Sequence, residues 1–282
     1  MTKEISSLCQ ISPFYDIILC DVWGVLHNGQ KLFPGSIPAL QKARENGLKI
    51  ILLTNSPRPS ASVISHIQSL GSSQKFWDDM ITSGDLTHHL LAKESHNVFF
   101  IGPDRDRVLL ETLNIKVVDE QYAETIICTG LYNDETEKPE DYRILLEPFA
   151  RHNIPFICAN PDILANRGNK VVPCAGALAL IYQQLNGIIK MVGKPHLPIY
   201  EMAFKKISTL CNSLDKKRIL AIGDGMETDI KGALQSGIDA LYVSQGIHTH
   251  EYSANNKIEA QMLQNFFIRK NLHPHWWIRE LI

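Results

Sequence analysis

Asp21 ends the apolar run Asp16-Ile17-Ile18-Leu19-Cys20 and precedes Val22-Trp23-Gly24, so its carboxylate emerges where a buried strand stops and a glycine lets the chain turn away. In a parallel sheet that is where a nucleophilic or metal-binding carboxylate belongs, the plain alternative being an aspartate that caps a turn. A second acidic site follows another apolar run: in Ala221-Ile222-Gly223-Asp224-Gly225-Met226-Glu227-Thr228-Asp229 two aspartates flank a glycine turn, with a helix expected from about Thr228. Carboxylate oxygens so placed suit Mg²⁺, which takes one or two carboxylates and keeps several waters. Asp229 reads equally well as an acid in a first helical turn, whereas Asp224 between two glycines does not.

Two further clusters add positive charge and hydrogen-bond donors. The run Leu52-Leu53 breaks into Thr54-Asn55-Ser56, whose side chains and turn N–H groups can cradle a phosphate, as can an ordinary strand-to-helix turn of the same composition. Lys194, held between Gly193 and Pro195, is a fixed ammonium able to offset phosphate or carboxylate charge. Arg58, just beyond the Thr54 turn, can bind a second anionic group or pair with an acid. Downstream, Asn160-Pro161-Asp162 follows an apolar strand and Asn166-Arg167-Gly168-Asn169-Lys170 is a polar loop, making Asn160, Asp162 and Arg167 the candidate substrate contacts.

The elements that must position these residues are short apolar runs at 16–20, 48–53, 98–101, 125–129, 155–158, 218–222 and 240–243, separated mostly by segments of helical period. Strands buried on both faces with helices between them imply an α/β protein with a parallel sheet and right-handed crossovers. A helix is expected over 36–46, with Ser36 as N-cap and Gly47 as the left-handed residue after its end, and another over 60–70 stopped by Gly71. The aromatic segment His273-Pro274-His275-Trp276-Trp277 is expected to dock on a core or a partner.

Composition narrows the function classes. With 282 residues, 44% hydrophobic, the chain can bury one large or two moderate cores, which excludes disordered and fibrous classes. Lys plus Arg at 28 against Asp plus Glu at 30 gives a formal charge of -2, so no global field favours nucleic acid or an anionic membrane. Six scattered cysteines without a C-x-x-C pair read as free thiols. No stretch resembles a signal peptide or reaches the length of a membrane span, and a cytoplasmic location is expected.

Taken in order, Asp21, Thr54-Asn55, Lys194 and Gly223-Asp224-x-x-x-x-Asp229 resemble the four motifs of the haloacid dehalogenase superfamily of aspartate-nucleophile phosphatases. Leu32-Phe33-Pro34-Gly35, Thr54-Asn55-Ser56-Pro57-Arg58, Asn160-Pro161-Asp162, Gly176-Ala177-Leu178 and Gly193-Lys194-Pro195-His196 resemble its class IIA branch, that of sugar-phosphatase and p-nitrophenylphosphatase-like enzymes. The resemblance implies a Rossmann-like doubly wound parallel core, residues 1–82 and 189–282, with an inserted α/β cap domain at 83–188. It implies Asp21 as nucleophile and Mg²⁺ ligand, the Trp23 backbone carbonyl and Asp224 as further ligands with Asp229 in support, and Lys194, Thr54 and Asn55 around the transferring phosphoryl group.

One position departs from that pattern. Phosphatases of this superfamily carry a second aspartate two residues after the nucleophile, which protonates the leaving group, and here that position is Trp23, whose indole only donates and does not titrate usefully. General acid–base help is worth roughly 10²–10⁴ in rate. His27, in the segment expected to form a mobile flap, is the candidate surrogate. The expected function is therefore a Mg²⁺-dependent phosphatase acting on a small phosphorylated metabolite through an aspartyl-phosphate. The alternative is a phospholigand-binding or regulatory module with little turnover. The oligomeric state is left open, a homodimer included.

Overall fold

The computed structural model describes residues 2–92, 96–111, 113–211, 215–254 and 257–282. Its strands, along the chain, are β1 (Lys3–Glu4), β2 (Ile17–Cys20), β3 (Lys49–Thr54), β4 (Asp79–Thr82), β5 (His96–Ile101), β6 (Ile115–Val117), β7 (Thr125–Cys128), β8 (Phe156–Cys158), β9 (Leu164–Arg167), β10 (Lys170–Pro173), β11 (Ile189–Met191), β12 (Ile219–Gly223), β13 (Asp239–Val243), β14 (Ser253–Ala254), β15 (Lys257–Ile258) and β16 (Trp276–Ile278). Seven of them make one parallel sheet in the order β1-β16-β13-β12-β2-β3-β4. Five make a second parallel sheet, β11-β8-β7-β5-β6. The antiparallel hairpin β9–β10 is inserted between β8 and β11.

The strand side chains alternate between two separate apolar clusters. Ile17, Leu19, Ile51, Leu53, Ile219 and Ala221 enter one, while Ile18, Cys20, Ile50, Leu52, Leu220 and Ile222 enter the other. That period of two, with both faces buried, makes the large sheet doubly wound. Helices α1 (Ser36–Glu45) and α2 (Ser60–Ser69) supply Leu40, Ala43, Val63 and Ile67 to one face. On the other, α3 (Ser83–Leu91) contributes Leu86 and Leu91, and a long helix at Leu197–Leu210 contributes Ile199, Tyr200, Ala203 and Ile207. The five-stranded sheet has its own core, where Ile126, Cys128, Phe156 and Cys158 meet Leu146 and Phe149 of α4 (Arg143–Arg151) and Leu178 and Tyr182 of α5 (Ala175–Gln184).

All seven strands expected from apolar runs are present within two residues at each end. Gly47 and Gly71 adopt φ of +95° and +108° after α1 and α2, the left-handed geometry their positions required. Ser36 is a correction: it lies inside α1, and its hydroxyl donates to the Val25 carbonyl at 2.6 Å instead of capping the helix. The insertion limits also shift. Helix α3, expected within the inserted domain at 83–188, packs with β4 and the Leu197–Leu210 helix, and β11, expected outside it, pairs with β8, so the strands of the second sheet span His96 to Met191.

Among the described residues all six cysteines are free thiols, and no helix is long and apolar enough to cross a membrane. The aromatic segment docks as expected: β16 lies between β13 and β1, burying Trp277. Replacing this side chain removes a core aromatic one strand in from the sheet's edge, so Trp277→Ala is expected to cost about 3–5 kcal/mol of unfolding free energy, measured by urea denaturation.

Candidate active site

Three strand ends of the large sheet converge on one buried ammonium. Asp21 is fixed by its own N–H, which donates to the Ile222 carbonyl at 2.8 Å, holding the end of β2 against β12. The Lys194 Nζ donates to Asp21 Oδ1 at 2.6 Å, to Asp229 Oδ1 at 2.6 Å and to the Leu53 carbonyl at 2.8 Å, which uses all three of its protons. Asp229 Oδ2 accepts from the Gly225 N–H at 3.0 Å, and Asp224 Oδ2 accepts from the Ile247 N–H at 2.8 Å, in the loop after β13. Glycine is required where these loops touch: a Cβ on Gly24, whose φ is +89°, would lie 2.2 Å from Asp224 Oδ2, and one on Gly223 would lie 2.1 Å from the Asp229 carboxyl carbon.

Electrostatics follow from burial. Asp21, Asp224 and Asp229 are almost fully buried, with ligand oxygens all within 4.8 Å of one another. Burial pushes the Asp21 carboxyl up, Lys194 pulls it back, and Asp229 and Asp224 push it further. Burial and the neighbouring Asp229 raise Asp224 to about 7. Burial disfavours the Lys194 charge, yet Asp21 and Asp229 outweigh it and raise its pKa, so the ammonium stays protonated. Three carboxylates facing one ammonium are short of positive charge, and an all-oxygen donor set suits a hard divalent cation. The Trp23 carbonyl precedes Gly24, whose backbone rests against Asp224, so it belongs to the same loop contact.

Thr54 ends β3 beside this cluster, with Oγ1 accepting from the Ser56 N–H at 3.2 Å. The Asn55 side chain is committed elsewhere: its Oδ1 accepts from the Lys194 N–H at 2.7 Å, and its Nδ2 donates to the Lys194 carbonyl at 3.1 Å and to Asp162 Oδ1 at 2.9 Å. Asn55 thus ties the lysine loop to the loop after β8, and its amide is not open to phosphate as expected.

Two adjoining cavities occupy the region between the sheets. One, about 450 Å³, is lined by Asp21, Lys194, Asp224, Asp229, Thr228 and His248 among others. The other, about 370 Å³, lies at the carboxyl ends of β5, β7 and β8, where Arg105, Thr129 and Asn160 line it together with Ser56 and Arg58. Trp23, Thr54, Asp162 and Ala165 line both. Burial pushes the Asp162 carboxyl up to about 6.

Two expectations change. His27 is 1% exposed and packs edge-on against Trp23 at 4.9 Å and His66 at 5.4 Å. Its Nδ1 accepts from the Gly29 N–H at 2.9 Å, and burial, with His66 and Arg58 nearby, lowers its pKa to about 3. It is a neutral packing residue and not a surrogate acid. Arg167 lines the smaller cavity, but its guanidinium is held by Asp134 at 2.7 and 2.5 Å. Sequence reasoning missed Arg105, Asp106 and Asp134, although the signal was the one that found Asp21: Ile101-Gly102 and Cys128-Thr129-Gly130 are strand ends followed by glycine. The Trp23 indole N–H donates to the Asn166 carbonyl in β9, an arrangement that composition did not suggest.

Comparison with known proteins agrees with this geometry. Residues 18–116 match the family described as haloacid dehalogenase-like hydrolase, and residues 191–265 match a HAD-hydrolase-like family. A haloacid dehalogenase-like hydrolase from Brucella suis is 43% identical, with a TM-score of 0.88 over 99% of this chain and 100% of that one. A p-nitrophenyl phosphatase from Archaeoglobus fulgidus has a TM-score of 0.74 at 20% identity, covering 95% of this chain and 97% of that one. An acid sugar phosphatase from Staphylococcus epidermidis is 24% identical over 242 residues, 84% of this chain and 89% of the relative.

The charge imbalance predicts opposite effects of one substitution. Divalent cation at about 100 times its Kd should stabilise the parent by about 2.7 kcal/mol. In Asp224→Asn that gain should shrink or vanish, while the metal-free protein melts no lower than the parent because like-charge repulsion is relieved. Thermal melts with and without Mg²⁺ measure both.

Proposed function

Since the chain belongs to the haloacid dehalogenase-like hydrolase family, with its five-stranded unit between Thr54 and Lys194 as in the class IIA branch, we propose that it is a phosphatase of small phosphorylated metabolites that uses Asp21 as nucleophile. The observation that carries this reading is the buried contact of Lys194 with Asp21 and Asp229, beside Asp224 and Thr54, at the carboxyl ends of parallel strands.

In this reading an Asp21 carboxylate oxygen attacks phosphorus, the new acyl-phosphate O–P bond forms, and the ester P–O bond breaks. Lys194 fixes the orientation of Asp21 and supplies positive charge close to the phosphoryl oxygens. Thr54 Oγ1 and the turn N–H groups after β3 are the donors for those oxygens. A divalent cation, for which we propose Mg²⁺, would be held by Asp21, Asp224 and the Trp23 carbonyl with Asp229 in support, and when bound would offset the repulsion between carboxylate and phosphate. Among the remaining groups, Asp162 is the one suited to the proton that position 23 cannot handle. It lines both cavities, and its raised pKa keeps it partly protonated near neutrality. Its carboxyl gives the proton to the leaving oxygen. Once ionised, it takes one from the water that attacks phosphorus, which frees phosphate and restores Asp21.

Trp23 favours a second reading, a phospholigand-binding module, because an indole bonded to the Asn166 carbonyl neither gives nor takes the required proton. Phosphate release with Mg²⁺ from an aryl and an alkyl ester separates the two. The parent should hydrolyse both, and Asp21→Asn neither. Asp162→Asn should lose about 10²–10⁴-fold on the alkyl ester and much less on the aryl ester, whose leaving group needs no proton. Because Asp162 acts first as an acid, the parent's rate on the alkyl ester should fall as pH rises through about 6. No release from either ester by the parent would favour the binding module.

A further inference from the structure

Resting on the phosphatase reading above, we propose that the smaller cavity is a subsite, centred on Arg58, for a second anionic group on the leaving part of the substrate, so that the preferred substrates are phosphomonoesters bearing an additional carboxylate or phosphate. The cavity opens beside Thr54 and Trp23, which it shares with the cavity of the nucleophile, so one ligand can reach from one to the other. A combined space of this size accommodates a small metabolite.

Arg58 is the group in this cavity with unused capacity. No described residue accepts a hydrogen bond from its guanidinium, and its nearest carboxylate, Asp106, is 3.9 Å away. A half-buried guanidinium retained only for structure would normally have its donors satisfied. The other guanidinium groups of its wall are already engaged: Arg167 meets Asp134 in a bidentate contact and Glu135 at 3.8 Å, and Arg105 meets Asp134 at 3.0 Å, which leaves Arg58 with Asp106 at 3.9 Å. The third carboxylate of the cavity, Asp162, lies at the junction and is held by Asn55.

The position of Arg58 is built. Its N–H donates to Ser56 Oγ at 3.3 Å, and the Ser56 carbonyl accepts from the Gly84 N–H at 3.0 Å. A Cβ on Gly84 would lie 2.3 Å from the Pro57 carbonyl, so the start of α3 clamps the segment that carries Arg58. A planar fork fixed at its root recognises carboxylate or phosphate oxygens in pairs, which a lysine on a solvated face does not.

The test reads binding without turnover. Asp21→Asn protein with Mg²⁺ is titrated calorimetrically with glycerol 3-phosphate, whose leaving part is neutral, with 3-phosphoglycerate, which adds a carboxylate, and with 1,3-propanediol bisphosphate, which adds a phosphate. At least one acidic ester should bind about 10–100-fold more tightly than glycerol 3-phosphate, and the tighter of the two identifies which acid the subsite takes. Adding Arg58→Ala should bring that ratio close to one, and Arg58→Gln should do the same if the alanine variant does not fold. Equal affinity for all three esters, or a preference that survives loss of the Arg58 charge, overturns the subsite. Phosphate release by the parent from the same esters tests the phosphatase reading separately.

Discussion

A lysine ammonium buried between two aspartates is the constraint on which the rest of the molecule depends. Lys194 is 3% exposed, and an unpaired charge at that depth would cost several kcal/mol. Its three protons must therefore meet Asp21, Asp229 and the Leu53 carbonyl, which draws the ends of β2, β3 and β12 into one cluster. Asn55 then grips the Lys194 backbone from both sides and Asp162 with its remaining proton, so the inserted unit is tied to the same cluster. The glycines at 24 and 223 follow as consequences, because the loops approach too closely for a side chain.

Placing two parallel sheets with a pair of adjoining cavities between them divides the work. Acids and a lysine gather at the ends of the large sheet, where the proposed reading puts attack on a phosphoryl group, and arginines line the cavity at the ends of β5 and β7, where that reading puts the part that leaves. Trp23 stands at the junction with its indole bonded to β9, and its ring is braced by His27 and by a parallel stack on His66 at 6.4 Å. Trp23 thus braces the loop after β2 against the β9–β10 hairpin.

Much of the fold was legible because burial on both faces writes continuous apolar runs, such as Ile17–Cys20 in β2, Ile50–Leu53 in β3, Ile126–Cys128 in β7 and Ile219–Ile222 in β12. The same rule failed for β4, β9, β10 and β11, which are short or half-exposed and take their structure from a neighbouring strand and not from their own pattern. Within the site, Asp21, Thr54 and Asp224 could be read from their places at strand ends, and Lys194 from its place between Gly193 and Pro195. The fates of Asn55, His27 and Arg167 could not, since each depends on a partner distant in sequence: Asp162, His66 and Asp134 respectively.

The central claim is that the Asp21 carboxylate, fixed by Lys194, becomes covalently phosphorylated. The direct measurement is peptide mass spectrometry after turnover with Mg²⁺ is stopped by acid and the protein is reduced with borohydride, which converts an acyl-phosphate to the alcohol. The account predicts homoserine at position 21 and no other aspartate modified. Release of phosphate with Asp21 unmodified, or modification at Asp162 or Asp224 instead, would contradict it.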